Sequence, residues 1–290
     1  GAFDENNYWS KIGIVDATGK LRGSVPLGWY ERLNAQISRL GNAIYMSQVP
    51  AAANVGVPPA NPAPGYMHQQ WSTWGASGLA GVWADENTRA SIFAALRRKE
   101  TFATSGPRMR VRFFGGYGFG DDIFSKADMV TKAYARGVPM GGDLTSRSAQ
   151  SPEFLVWVTR DPGSNALQRA QIVKGWIDAE GNTQEAVFDV ACAGGVAVNP
   201  ETQRCPDNNA TVDVATCATS ADTGADELRA VWRDPTYVAG ENAAYYVRAL
   251  ENPTCRWSSW DALRAGTLPN PTLATTIQER VWSSPIWLEN

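Results

Sequence analysis

Asp85, Glu86, Asn87 and Arg89 fall within five residues of one another, and all are types that handle anions or protons. A carboxylate and a guanidinium at the start of a helix can together bind and polarise an anionic substrate. The free backbone N–H groups and the helix dipole favour negative charge at that point. Glu86 and Arg89 are the candidate catalytic side chains, acting as anion binders or as neighbours of the chemistry. Asn87 and His68 are candidate substrate-binding groups. A purely structural arrangement competes with this reading, with Asp85 or Asn87 capping the helix and Glu86 paired to Arg89. His68 is the only histidine. One histidine cannot furnish a multi-histidine metal site, and no Gly-x-Ser-x-Gly accompanies it to suggest a serine nucleophile. No metal ligand is therefore expected in this chain, and a loop or packing role is the plain alternative for His68.

The elements that would hold this cluster run from Gly78 to Pro107. Trp83 ends a short apolar run, and Asp85 or Asn87 would cap the helix that follows. Ile92, Phe93 and Leu96 share one face, Arg97, Arg98 and Lys99 occupy the last turn, and Gly106-Pro107 stops the segment. Upstream, the spacing of Trp29, Leu33, Ile37 and Leu40 predicts a helix over 27–40. Pro50, Pro58, Pro59, Pro62 and Pro64 then make residues 48–66 a long irregular connection. Downstream the period changes to two. Met109, Val111 and Phe113 alternate with Arg108, Arg110 and Arg112, whose shared face is either solvated or lines an anionic groove. A short helix is predicted over 125–136. Strands are predicted at 154–159, 169–177, 185–191, 211–216, 227–232, 244–250 and 280–287, a β-sandwich pattern. The glycines of 115–120 lack the spacing of a dinucleotide fingerprint and read as a turn.

The net charge of −3 argues against nucleic-acid binding by bulk charge, and no apolar run approaches the length of a membrane span. None of the four cysteines, Cys192, Cys205, Cys217 and Cys255, forms a Cys-x-x-Cys pair, so a zinc ribbon is not supported. A bridge from Cys192 to Cys205 would close a loop, and Cys217 would then pair with Cys255. That arrangement favours an exported, oxidising location, periplasmic or secreted. Four thiols in a reducing compartment are the alternative. The 12 tryptophans either fill cores or offer platforms for sugar rings. A non-catalytic, tryptophan-rich β-sandwich module binding glycan or protein is thus a competing function.

Several long motifs carry a resemblance. They are Gly81-Val-Trp-Ala-Asp-Glu-Asn-Thr-Arg89, Ala94 to Pro107, Arg110-Val-Arg-Phe-Phe-Gly-Gly116, Gly137-Val-Pro-Met-Gly-Gly-Asp-Leu144, Gln171-Ile-Val-Lys-Gly-Trp-Ile-Asp178, Tyr245-Tyr-Val-Arg248 and Gln278 to Trp287. Together they resemble a bacterial family of uncharacterised proteins related to the PHP (polymerase and histidinol phosphatase) metal-dependent hydrolases. The resemblance implies an α+β protein. Residues 1–106 would be the closing part of a distorted α/β barrel and 107–290 an antiparallel β-sandwich. It also implies hydrolysis of phosphoesters or related esters of a small-molecule substrate, using divalent metal (Zn, Mn or Fe). Asp4-Glu-Asn-Asn-Tyr-Trp9 resembles the stretch that follows the last ligand motif. The metals are therefore expected on an N-terminal segment of the same precursor, with none in this chain alone.

Overall fold

The computed structural model describes residues 78–120, 122–147, 150–178, 180–271 and 273–289, together with the backbone of 12–15 and 21–25. The chain divides into two compact units, 1–77 with 261–274 and 78–260 with 275–290. In the first, β1 (Ile12–Val15) and β2 (Leu21–Val25) form an antiparallel pair with Ile12 opposite Val25. The helix expected over 27–40 and the connection over 48–66 lie outside the described residues.

From Gly78 onward the elements are β3 (Leu79–Val82), α1 (Arg89–Arg97), β4 (Thr101–Thr104), β5 (Arg110–Gly116), α2 (Met129–Arg136), β6 (Gly137–Pro139), β7 (Asp143–Thr145), β8 (Glu153–Thr159), β9 (Leu167–Ile177) and β10 (Thr183–Cys192). There follow β11 (Val212–Asp213), β12 (Ala218–Thr219), β13 (Glu227–Arg233), β14 (Ala243–Glu251), β15 (Thr254–Cys255), α3 (Trp257–Arg264), β16 (Thr276–Ile277), β17 (Arg280–Ser283) and β18 (Ile286–Glu289). The protein is thus mostly β-sheet with few helices.

The second unit is organised around two sheets. The larger has eight strands in the order β10-β9-β14-β17-β4-β3, with β18 beside β14 and β7 beyond β18. The smaller has the order β13-β8-β5-β6. Among the described pairs only β18 and β7 run parallel. No barrel closes among the described residues. β3 and β4, expected to help close one, instead form the edge of the larger sheet. Gly106-Pro107 lie between β4 and β5, where the chain leaves one sheet for the other. Gly106 has φ 151°, which a side chain would resist.

One core lies between the sheets because each contributes an apolar face at period two. Ala243, Tyr245, Val247 and Ala249 of β14 face Phe113 of β5 and Phe154, Val156 and Val158 of β8. The rings of Phe154 and Tyr245 lie 4.3 Å apart and those of Phe113 and Phe154 5.6 Å apart. Burying a side chain the size of Phe154 contributes roughly 2–3 kcal/mol. β8 is buried on both faces. Its Leu155 joins Phe114, Phe119, Ile123, Met129 and Ala133 in a second core beneath α2. The run Phe154-Leu-Val therefore lacks the alternation of a one-faced strand.

Local departures from the expected elements have local causes. Pro285, which has no N–H for a ladder, splits the strand expected over 280–287 into β17 and β18. The helix expected over 125–136 begins at Met129, and the Ser125 hydroxyl donates to the Asp122 carbonyl rather than capping it. The strand expected over 211–216 shrinks to β11, since Asp213 accepts the Ala215 N–H and the Thr216 hydroxyl in a turn. Both disulfides form as expected, Cys192–Cys205 and Cys217–Cys255.

Candidate functional site

The polar cluster sits on the loop that joins β3 to α1, and both ends of that loop are fixed. At the near end the Trp83 indole N–H donates to the Val111 carbonyl at 2.8 Å, and the Trp83 ring packs on Phe102. At the far end Thr88 is the N-cap. Its backbone is extended and its hydroxyl accepts the Ser91 N–H at 3.3 Å, while the Ser91 hydroxyl accepts the Glu86 N–H at 3.2 Å. Ser91 thus ties the first turn to the loop two residues ahead of the cap. Thr88, not Asp85 or Asn87, therefore does the capping. The side chains of Asp85, Glu86, Asn87 and Arg89 are exposed, and none has a hydrogen-bond or ion-pair partner among the described residues. Glu86 and Arg89 share the front of α1 without pairing. His68 lies outside the described residues. The apolar stripe of α1 is only partly covered: Phe93 is 61% and Leu96 51% exposed, while Ala95 is buried.

The rear of α1 carries a different constellation. Lys99 takes a left-handed turn at φ 59°, and Glu100 beyond it is buried. The Glu100 carboxylate meets the guanidinium of Arg98 at 3.3 Å and that of Arg112 at 3.8 Å, and accepts the Tyr134 hydroxyl. Arg112 also donates to the Tyr134 oxygen at 2.9 Å and lies 3.5 Å over the Trp83 ring. Burial, and then the hydrogen bond to Glu100, push the Tyr134 phenol up to about 12. Of Arg108, Arg110 and Arg112, the last is thus committed to an internal pair, so the three do not form a uniform groove wall.

A third cluster lies between the sheets. Lys174 of β9 is wholly buried. Its ammonium lies 2.9 Å from Asp234 Oδ2 and 2.6 Å from Glu241 Oε2. The faces of Trp176 and Tyr245 close over it at 4.7 Å and 5.9 Å. Asp234 Oδ1 accepts the Thr236 N–H and hydroxyl, and Oδ2 accepts the Tyr245 hydroxyl at 2.8 Å. Burial, and then the Asp234 charge, hold the Tyr245 phenol far above its usual range, so it stays a donor.

Among known proteins, a family described as "Protein of unknown function (DUF3604)" matches residues 1–290. The chain belongs to that family. No curated protein and no solved structure matches it. In this DUF3604 chain, no group of three or more His, Cys, Asp or Glu side chains could hold a metal ion among the described residues. Those residues do not fit the metal that the resemblance implies. No helix among them is long and apolar enough to cross a membrane. Of the eight described tryptophans only Trp287 is exposed. The rest are half-buried, Trp83 beneath Arg112 and Trp176 beside Lys174.

The Lys174 cluster has a signal in the DUF3604 sequence that the motif reading passed over. Lys174 follows Ala170 and Ile172 at period two, and both of those face the core. A lysine at a core-facing strand position needs a buried anion. The anions come from Asp234 and Glu241, sixty and more residues away, where spacing carries no information about pairing.

Proposed function

We propose that this DUF3604 chain is the C-terminal part of a metal-dependent hydrolase of the PHP type, acting on phosphoesters or related esters. Its divalent metals are held by side chains outside the described residues, on an N-terminal segment of the same precursor. That segment completes a PHP-like barrel with residues 1–77, since β3 and β4 belong to the larger sheet. The resemblance of the long motifs to a family related to the PHP hydrolases supports this reading. So does the unengaged front of α1, which is the observation that carries it. There a capped helix presents Arg89 in its first turn, beside Glu86, with no internal partner among the described residues. Arg89 can grip two oxygens of a phosphoryl group, and the N-terminus of α1 adds its positive end. Glu86, exposed beside it and unpaired among the described residues, is the neighbouring acid. The two disulfides support a periplasmic or secreted location.

The test is to produce the protein together with its upstream coding segment, then measure bound transition metal and hydrolysis of p-nitrophenyl phosphate. The expected result is stoichiometric metal, with Arg89→Ala raising KM about tenfold, as loss of one charge-assisted contact would. A preparation that is metal-free and inert, or an Arg89→Ala variant with unchanged KM and kcat, overturns the proposal.

A further inference from the structure

We propose that Lys174 and Asp234 condense to an intramolecular isopeptide bond, with Glu241 as the group that carries the proton. The proposal rests on the arrangement between the sheets and is independent of the hydrolase reading.

One cation here faces two carboxylates, and all three groups are withdrawn from water. The side chains of Lys174, Asp234 and Glu241 are 1%, 0% and 14% exposed. A buried triad of that composition leaves one negative charge uncompensated, which is costly in a poorly polarisable interior. Glu241 Oε2 lies 2.6 Å from the ammonium and has no other partner among the described residues. It is therefore within reach of the lysine proton and free to accept it.

Asp234 is held as an electrophile would be. Oδ1 is fixed by the N–H and the hydroxyl of Thr236, both at 2.7 Å. Oδ2 sits between the Lys174 nitrogen at 2.9 Å and the Tyr245 hydroxyl donor at 2.8 Å. Trp176 and Tyr245 wall the site with aromatic faces. Holding amine and carboxyl this closely replaces an encounter between two solutes, and well-oriented pairs gain on the order of 10⁵ M or more in effective concentration.

The balance of the step is simple. A proton passes from the Lys174 ammonium to Glu241, and the freed lone pair attacks Asp234 Cγ. Negative charge collects on Oδ1, where the two Thr236 donors stabilise it. The attacking nitrogen loses a second proton, and both protons reach Oδ2. The Nζ–Cγ bond forms, the Cγ–Oδ2 bond breaks, and one water leaves. An ammonium and a carboxylate become an amide and water, with no change of oxidation state, and Glu241 ends as it began. Oδ1 becomes the amide oxygen and keeps its Thr236 donors. The product joins β9 of the larger sheet to the residue that follows β13 of the smaller one, so it ties the two sheets together covalently.

The test is the intact mass of the full chain, denatured and with both disulfides reduced. The expected mass is that of the sequence less one water. Trypsin should fail to cut after Lys174 and should yield one branched peptide containing Lys174 and Asp234. Glu241→Gln, which preserves shape, should fold and show the full sequence mass with Lys174 open to acetylation after denaturation. A wild-type protein at full sequence mass overturns the proposal and leaves a structural ion cluster. A Glu241→Gln variant that still lacks one water overturns the role given to Glu241. Should that variant fail to fold, the wild-type mass and the branched peptide decide the matter alone.

Discussion

Arg112 lies 3.5 Å over the ring of Trp83 and reaches past it to the buried carboxylate of Glu100, 3.8 Å away. The pair connects β5 of the smaller sheet to the strand–helix–strand segment at the edge of the larger one. It thereby holds the front of α1 in place. Arg112→Met should destabilise by about 1–3 kcal/mol, because Glu100 stays buried with only Arg98 to balance it. Adding Glu100→Gln should recover most of the loss. Urea unfolding of the two single variants and the double variant measures the coupling, and strictly additive losses would count against it.

The cap of α1 gives a sharper contrast. Thr88→Ala removes the acceptor of the Ser91 N–H and should cost about 1 kcal/mol. Asp85→Ala and Asn87→Ala, which remove no described contact, should leave the midpoint of unfolding within error. Thermal melts of the three variants distinguish the structural residue in this loop from those free for a ligand.

Glu251 makes stability depend on pH. It is fully buried; Ser164 donates to one oxygen at 2.6 Å and the other has no partner among the described residues. Burial, aided by the charges of Glu279 and Asp161, pushes its carboxyl up to about 7, against the opposing Ser164 hydrogen bond. The folded value lies above the unfolded one, so the folded state binds the proton more tightly. The resulting stabilisation is complete below the ordinary carboxylate range and is lost as pH rises through about 7. The melting temperature should therefore fall between about pH 5 and pH 8. Glu251→Gln should match the wild type at the lower pH, exceed it at the higher, and flatten the profile. An unchanged slope in the variant would assign the dependence elsewhere.

The two disulfides close sequence separations of 13 and 38 residues. Chain-entropy arguments assign them about 3 and about 4 kcal/mol respectively. Cys192→Ala with Cys205→Ala should thus cost less than Cys217→Ala with Cys255→Ala, by denaturant unfolding of the two double variants.

Much of the sheet structure was legible because one-faced strands announce themselves. Met109, Val111 and Phe113 alternate with arginines and are all buried, and β9, β13 and β14 occur where period two predicts them. The cysteine pairing followed from the loop that Cys192 and Cys205 enclose. Less was legible where pairing rather than pattern decides. β4 and β7 are short and owe their state to β17 and β18, far along the chain. Leu155 is buried because α2 covers the second face of its sheet. In the polar loop, the residue types pointed to Asp85 and Asn87 as caps. The geometry chose Thr88 because it alone stands one residue before the helix with an extended backbone. Lys174 announced itself only by face, and its partners could not be read from spacing at all.

The placement of β17 and β18 bears on how the molecule comes into being. Among the described strands β17 alone links β14 to the β3–β4 edge, and β18 lies between β14 and β7. Val247 of β14, whose N–H is bound by the Ser283 hydroxyl, also waits for this segment. On a ribosome, the larger sheet stays in separate pieces until residues 280–289 emerge. Until then the nascent chain carries open strand edges that a holding chaperone would recognise.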